Sequence, residues 1–263
     1  MQYIKYKLSN FKSFLLRFLF NLNMYFRKLL RYHFKYNKIK NLKNQHTNKR
    51  CFIIGNGPSL TKEILISLKK EKTFGVNAIC KWFPELGFET TYYGIQDIRA
   101  FNALKEDILK ISKSKMLMTS KISRKYGNED RTYVFPLNYL NHNTYHDDFG
   151  SKVSKDVEQV VYDGYSINYS MIQIAMYMGF TEIYLIGMDC NYNFEDVENQ
   201  YSVNHFIAQE NPSLAGYKMI QALKAIKHEI DKENGIKIFD CSINGKLDLF
   251  PKQELEDILN NDK

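Results

Sequence analysis

A glycine-rich turn is the first place in this sequence where residue types and spacing indicate chemistry. It follows the short apolar run 51–55 and consists of Gly55, Asn56, Gly57, Pro58 and Ser59. The two glycines allow a sharp turn and a close backbone approach to a ligand, and the proline suits the first turn of a following helix. The serine places a hydroxyl near the amino end of that helix. The turn lacks the G-K-[ST] ending of a P-loop, and Leu60 replaces the third glycine of G-x-G-x-x-G, so both a plain turn and a nucleotide site stay open.

Polar residues also close other apolar runs of the chain. Asn77 follows the second run, Gln96 and Asp97 follow the third, and Gly187-Met188-Asp189 follows the run 181–186. If these runs are parallel strands, their carboxyl ends meet at one edge of a sheet, which is where ligands bind in such sheets. Side chains of these types suit hydrogen bonds to a ribose, a base edge or a sugar.

His205 is the candidate general base for a sugar transfer, because an imidazole titrates near neutral pH. Its neighbour Phe206 leaves a structural role open as well. The run His146-Asp147-Asp148 contains metal-ligand types, but three adjacent residues rarely converge on one ion, so no metal site is expected.

Strands alternate with helices in the order that predicts a Rossmann-like α/β fold, a mostly parallel sheet with helices on both faces. Predicted strands cover 51–55, 74–76, 91–95, 115–118, 132–135, 181–186 and 236–239. Predicted helices cover 60–69, 166–178, 214–233 and 254–259. We expect this catalytic domain to span residues 49–263, behind an N-terminal segment of residues 1–48.

The N-terminal segment carries an unusual charge. The 263 residues hold 37 Lys+Arg and 29 Asp+Glu, but residues 1–50 contain 13 of the basic residues and none of the acidic ones. The remaining 213 residues hold 24 basic and 29 acidic side chains, a net charge of −5. A basic arm on an acidic body indicates a polyanionic partner.

Apolar residues in the arm alternate at spacings of three and four, which predicts an amphipathic helix of roughly 30 residues. They are Leu8, Phe11, Leu15, Phe18, Leu22, Tyr25, Leu29, Tyr32 and Tyr36. The stretch is too short and too charged to span a bilayer, and no small-residue cleavage site follows it. We expect residues 1–40 to lie on an anionic membrane surface. Packing on the body or on a second copy is the alternative, and nucleic acid is not expected. The lysine-rich segment 37–48 is interpreted as a linker.

Cys51, Cys80, Cys190 and Cys241 form no C-x-x-C pair, so free thiols in a reducing compartment are expected. Together with the arm, this predicts a cytoplasmic protein that is peripheral at the inner face of the cell membrane.

Two motifs, 55–60 and 178–192, with Asn204-His205-Phe206 as a weaker third, give the chain a resemblance to two related groups. It resembles the bacterial sialyltransferases of glycosyltransferase family 42 and the domain-of-unknown-function 115 group. The second group includes the 6-hydroxymethylpterin pyrophosphokinase (MptE-like) proteins and many proteins of surface-polysaccharide loci. The resemblance implies that Asn56 and Asn77 contact the CMP part of a donor. It implies that Asp189 is a donor-site residue and that Gln96 stands where sialyltransferases have Asn.

The chain departs from the sialyltransferase pattern in three places. Their Arg ahead of the long helix is replaced by the sequence Asp163-Gly164-Tyr165-Ser166, and Asn191 replaces a Tyr. Gln209 aligns with their general-base His. The N-H-F-I pattern favours the second group.

Three functions follow from the resemblance. The leading hypothesis is a membrane-associated glycosyltransferase of surface-polysaccharide (capsule or lipopolysaccharide) assembly. It would use a nucleotide-activated sugar, such as a CMP-sugar, and a glycan or lipid-linked acceptor, without a required cofactor. The alternative is diphosphoryl transfer from ATP, with Mg²⁺ held by Asp97 and Asp189. The third is a non-catalytic scaffold, and homo-oligomer formation is left open. The candidate nucleotide-binding residues are Gly55, Asn56, Gly57, Pro58, Ser59, Asn77, Gln96, Asp97, Ser166, Gly187 and Asp189.

Overall fold

The computed structural model describes residues 2–30, 35–139, 151–190, 212–232, 235–243 and 245–260. Its strands are β1 Arg50–Ile54, β2 Thr73–Val76, β3 Tyr92–Ile95, β4 Lys115–Thr119, β5 Thr132–Phe135, β6 Leu137–Asn138, β7 Val161–Tyr162, β8 Glu182–Ile186 and β9 Lys237–Asp240. Seven of them form one sheet in the order β5-β4-β3-β2-β1-β8-β9, with every neighbouring pair parallel. β6 and β7 pair separately. The predicted parallel sheet is confirmed, and each of its seven strands lies within one residue of the expected bounds.

Helices surround the sheet and connect its strands. They are α1 Gln2–Leu30, α2 Lys62–Ser67, α3 Phe83–Leu86, α4 Ile98–Ala103, α5 Lys105–Lys110, α6 Ser120–Tyr126, α7 Ile167–Tyr177, α8 Pro212–Lys232 and α9 Leu255–Asn260. Two 3-10 helices, Ile39–Leu42 and Asn77–Trp82, complete the described elements. No described helix is long and apolar enough to cross a membrane.

The sheet separates two apolar layers. Along β1, Cys51 and Ile53 face the layer that contains α7, whereas Phe52 and Ile54 face the layer on the other side. All four are fully buried. Because both faces of a parallel sheet are covered, its central strands appear in the sequence as continuous apolar runs.

The segment 37–48 is a correction to the sequence analysis, because it packs on the body instead of forming a linker. Ile39 and Leu42 are fully buried in the layer that contains α7. The backbone amides of Asn44 and His46 donate to the carbonyls of Tyr177 and Met178 at the end of α7, at 3.2 and 2.9 Å. Ile39 and Leu42 are only two apolar residues in a lysine-rich stretch, and two residues are too few to predict that the segment is buried.

The place of Tyr36 is a second correction. The described α1 covers Gln2–Leu30, 29 residues, which agrees with the predicted length, but Tyr36 lies in a turn, where it is buried. Tyr36 is therefore not part of a helix although its spacing continues the apolar stripe.

Candidate active site at the carboxyl edge of the sheet

The order of the strands reverses at β1. From β1 the chain builds β2, β3, β4 and β5 on one side, and later adds β8 and β9 on the other. In open parallel sheets, the crevice outside the carboxyl ends of the strands at such a reversal is the usual ligand site. Here that position is where the turn after β1 meets the turn after β8, and we use the word crevice for this place.

The glycine-rich turn packs directly against the end of β8. The amide of Gly55 donates to the carbonyl of Ile186, and the amide of Gly57 donates to the carbonyl of Gly187, both at 2.8 Å. A Cβ atom on Gly55 would lie 2.3 Å from the Gly187 carbonyl oxygen, and one on Gly57 would lie 2.5 Å from Oδ2 of Asp189. Glycine is therefore required at both positions because the two turns approach so closely.

Ser59 and Asp189, predicted from two separate motifs, meet across this crevice. The Ser59 amide donates to Oδ2 of Asp189 at 2.8 Å, and the Ser59 hydroxyl donates to Oδ1. Asp189 is 4% exposed. Burial raises the pKa of the Asp189 carboxyl, and the two hydrogen bonds from Ser59 lower it in part.

The two predicted asparagines lie at the neighbouring strand end. The Asn56 amide nitrogen donates to the Val76 carbonyl at 3.1 Å, so the first turn reaches across to the end of β2. Asn77 adopts a left-handed backbone conformation, with φ of 48°. Its carbonyl accepts a hydrogen bond from the Tyr93 hydroxyl at 2.6 Å, and its side chain is half-buried. These contacts fix the backbone of both predicted residues at the carboxyl edge.

Gln96 forms a buried connection from β3 to α7. Its amide nitrogen donates to Oδ1 of Asp163 at 2.9 Å, and its amide oxygen accepts from the Ser170 hydroxyl at 2.7 Å. Asp163 lies 67 residues away and Ser170 lies 74 residues away in the sequence, so neither contact follows from a local pattern. Both polar ends of Gln96 are thus engaged by the protein, which makes it a residue that positions α7.

Asp97 caps the helix that follows. Its Oδ1 accepts from the Arg99 amide at 2.7 Å, which is the N-cap bond of α4, and its Oδ2 lies 3.3 Å from the Arg99 guanidinium. No three His, Cys, Asp or Glu side chains in the described part of the chain come together to hold a metal ion. The expectation that the site has no metal stays a prediction.

The amino end of α7 completes the described part of the site. Ser166 is its N-cap, and the Ser166 hydroxyl oxygen accepts from the Asn168 amide at 3.2 Å. The side-chain nitrogen of Asn168 lies 3.1 Å from the position that a Cβ on Gly55 would occupy. Oδ1 of Asn168 is buried without a hydrogen-bond partner among the described residues. A buried, unused acceptor beside a helix N-terminus and a glycine turn is the feature of this edge that indicates a ligand.

Two residues at this end of α7 were missed by the sequence analysis. Asn168 lies inside the helix predicted over 166–178, and only its position two residues after Ser166 could have indicated it. Lys218 of α8 places its ammonium 5.2 Å from the ring centroid of Tyr165, next to the cap. Tyr165 has a φ of 64°. No sequence pattern predicts that a lysine of α8 lies close to the amino end of α7.

The candidate base His205 and two departures from the sialyltransferase pattern lie beyond the described part of the chain. His205, Asn191 and Gln209 lie outside the described residues, so the assignment of the general base stays a prediction. Pro58 is exposed at the outer side of the turn.

The sequence profile of a family described as 6-hydroxymethylpterin diphosphokinase MptE-like matches residues 25–195. The chain belongs to the MptE-like family. The matched range contains both better motifs of the resemblance, 55–60 and 178–192, and therefore the whole described crevice. The expected relationship is confirmed, and the weaker motif at residues 204–206 lies beyond the match.

This MptE-like chain also resembles a solved structure described as MAf glycosyltransferase from Magnetospirillum magneticum AMB-1. The alignment has a TM-score of 0.53 at 13% sequence identity, and it covers 83% of this chain and 37% of the other. At this identity the likeness establishes the shared fold. No curated protein sequence matches the chain.

Proposed function

We propose that this MptE-like protein is a glycosyltransferase of bacterial surface-polysaccharide biosynthesis that uses a nucleotide-activated sugar. A CMP-sugar is the first candidate donor, and a glycan or a lipid-linked glycan is the proposed acceptor. The observation that carries the proposal is the convergence of the glycine-rich turn and the amino end of α7, with the buried acceptor of Asn168 between them. The fold shared with a glycosyltransferase is consistent with it.

The groups at this edge suit an anionic, hydroxyl-rich ligand. The N-terminus of a helix carries a partial positive charge that favours a phosphate or a carboxylate, and α7 is 11 residues long. Lys218 adds a full positive charge near the same helix end. Oδ1 of Asn168 is an acceptor suited to a sugar or ribose hydroxyl, so an anion and a hydroxyl can be recognised side by side.

The proposed chemistry divides between these groups and His205. The described groups hold the donor and stabilise the phosphate that leaves, while His205 accepts the proton from the acceptor hydroxyl. The reaction proceeds at the inner face of the cell membrane and needs no cofactor.

The second candidate is diphosphoryl transfer from ATP, and the family description is the observation that favours it. It would need Asp97 and Asp189 to turn toward Mg²⁺. Asp97 caps α4 and contacts Arg99, and Asp189 holds both donors of Ser59, so each carboxylate would have to give up these contacts.

A binding panel on the full chain distinguishes these functions. The ligands are CMP, CDP, UDP, GDP and ATP, each with and without Mg²⁺, and the readout is the thermal midpoint. A ligand at one hundred times its dissociation constant adds roughly 2.7 kcal/mol to the free energy of unfolding. Stabilisation by CMP or CDP without metal supports the transferase. Stabilisation only by ATP with Mg²⁺ moves the assignment to diphosphoryl transfer, and no stabilisation by any ligand leaves the non-catalytic scaffold.

Two variants connect the result to the site. Asn168→Ala removes the buried acceptor and is expected to weaken binding about tenfold, whereas Asn128→Ala, at an exposed position before β5, leaves binding unchanged. For the general base, His205→Ala is expected to abolish release of CMP from a CMP-sugar while CMP still binds. Unchanged turnover in that variant would exclude His205 as the base.

A further inference from the structure

The helix α1 turns its apolar face away from the rest of the protein. Among the side chains of α1 that the structure describes, nine large apolar ones are 38–66% exposed, and seven of them share one face: Phe14, Leu15, Phe18, Leu22, Tyr25, Phe26 and Leu29. At 100° per residue they lie within an arc of about 120°, which we call the outer face. Their spacing and exposure describe a continuous apolar stripe that nothing in the described part of the chain covers.

A different face of α1 contacts the body. Phe20, Met24 and Arg27 are half-buried and are spaced four and three residues apart, on the side opposite the outer face. The Arg27 guanidinium donates to the Gln159 carbonyl at 2.8 Å and lies 5.1 Å from the ring centroid of Tyr36. Burial lowers the pKa of Arg27. The helix is therefore held on the side that carries Phe20, Met24 and Arg27, which leaves the outer face pointing outward.

The charge around this helix selects the kind of partner. Residues 1–50 contain 13 Lys+Arg and no acidic residue, whereas the rest of the chain has a net charge of −5. Two copies that joined through their outer faces would bring two such basic segments together, and their repulsion opposes that pairing. An anionic lipid surface instead accepts the apolar side chains at its headgroup boundary and attracts the cations.

We propose that the outer face of α1 is a docking surface for an anionic lipid bilayer. The hydrogen bond from Arg27 to Gln159 then connects the docked helix to the body. The chain continues from Gln159 through β7 to Asp163, which accepts a hydrogen bond from Gln96 at the candidate site. The docked protein would hold its site close to the lipid. This inference does not depend on the proposed function, because lipid binding is measured without any turnover.

Co-flotation of the full chain with vesicles tests the docking. The vesicles are phosphatidylcholine alone or phosphatidylcholine with 30% phosphatidylserine, about 0.1 M salt in each case. We expect binding to the anionic vesicles to be at least about tenfold tighter than to the neutral ones, and to weaken as salt is added. Equal binding to both vesicles, or none to either, overturns the proposal.

A matched pair of double variants tests which face docks. Phe18→Ser with Leu22→Ser removes two apolar side chains of the outer face, and Asn21→Ser with Asn23→Ser changes two exposed polar positions on the same turns. The first pair is expected to lose at least about tenfold in vesicle affinity, and the second is expected to match the wild type. Equal affinities for the two pairs would overturn the assignment of the face.

Sedimentation velocity separates the bilayer from a second copy. If the outer face joins two copies, the wild type sediments as a dimer, the first variant pair as a monomer, and neither floats with vesicles. That result would show that the outer face of α1 binds a second copy of the chain and not a lipid bilayer. Because all four substituted side chains are exposed, the thermal midpoint of the body is expected to stay unchanged and serves as the folding control.

Discussion

The hydrogen bond between Ser59 and Asp189 gives the sharpest energetic prediction for the crevice. Ser59→Ala removes the hydroxyl that donates to Oδ1 and keeps the backbone amide bond to Oδ2 at 2.8 Å. A hydrogen bond to a charged group contributes about 1.5–3 kcal/mol to stability, and one between neutral groups contributes about 1 kcal/mol. Ser59 is half-buried, so water replaces part of the loss. We expect Ser59→Ala to lower the free energy of unfolding by about 2 kcal/mol at pH 7.

The pH dependence of that loss identifies the carboxylate as the acceptor. Burial raises the pKa of Asp189 above its ordinary value of 3.8, so the folded protein binds this proton more readily than the unfolded chain. Asp189 therefore lowers the stability as the pH rises through its raised pKa. The Ser59 hydroxyl opposes that effect, because it favours the ionised form. Below the raised pKa, Asp189 is protonated, and the bond that the Ser59 hydroxyl makes in the wild type joins two neutral groups. Ser59→Ala then lowers the free energy of unfolding by only about 1 kcal/mol.

Urea unfolding of four proteins provides the assay: the wild type, Ser59→Ala, Asp189→Asn and the double variant, at pH 7 and pH 3.5. In the Asp189→Asn background, Ser59→Ala is expected to cost about 1 kcal/mol at both pH values. The coupling energy at pH 7 is then about 1 kcal/mol. A cost that does not change with pH in the wild-type background, or a coupling of zero, would refute the reasoning.

Three further predictions follow from single contacts. Gly57→Ala is expected to lower the free energy of unfolding by about 2–3 kcal/mol, because the new Cβ would lie 2.5 Å from a carboxylate oxygen of Asp189. The control Gly235→Ala has open space around it and is expected to lower the free energy of unfolding by less than about 0.5 kcal/mol. Urea unfolding midpoints measure both effects. Burial and nearby lysines lower the pKa of His46 to about 4, so stability is expected to fall as the pH drops from about 6.5 towards 4. Because solvent screens the partly exposed ring, this decrease in the free energy of unfolding is on the order of 1 kcal/mol. His46→Gln is expected to abolish the decrease, as measured by unfolding at a series of pH values. Lys218→Met is expected to weaken CDP binding about tenfold in calorimetry, and the exposed control Lys224→Met leaves it unchanged.

The sheet could be predicted because each of its seven strands combines an apolar run with a polar residue or a turn at its end. β6 and β7 escaped prediction because a two-residue strand has no period to detect. α3, α4, α5 and α6 escaped as well, since four to seven residues make fewer than two helical turns. α2 is equally short, but the glycine-rich turn with Pro58 marked its start.

The candidate site could be predicted as a place but not as a set of contacts. Its location was inferred from polar residues at strand ends, and two of these residues, Ser59 and Asp189, form hydrogen bonds with each other in the structure. The partners of Gln96 could not be foreseen, because long-range packing of α7 decides which side chains meet its amide. Asn168 was hidden for a related reason: periodicity describes the apolar face of a helix and says little about its first turn.

The position of β1 inside the sheet, between β2 and β8, has a consequence for biosynthesis. β1 pairs with β2 through Phe52 and Thr73, but its other neighbour arrives only when Glu182 pairs with Arg50. That separation is 132 residues, which the ribosome needs about 7–26 s to synthesise at 5–20 residues per second. During this time one side of a strand whose last four residues, 51–54, are apolar has no partner. We expect nascent chains that stall before β8 to aggregate through this edge or to recruit chaperones.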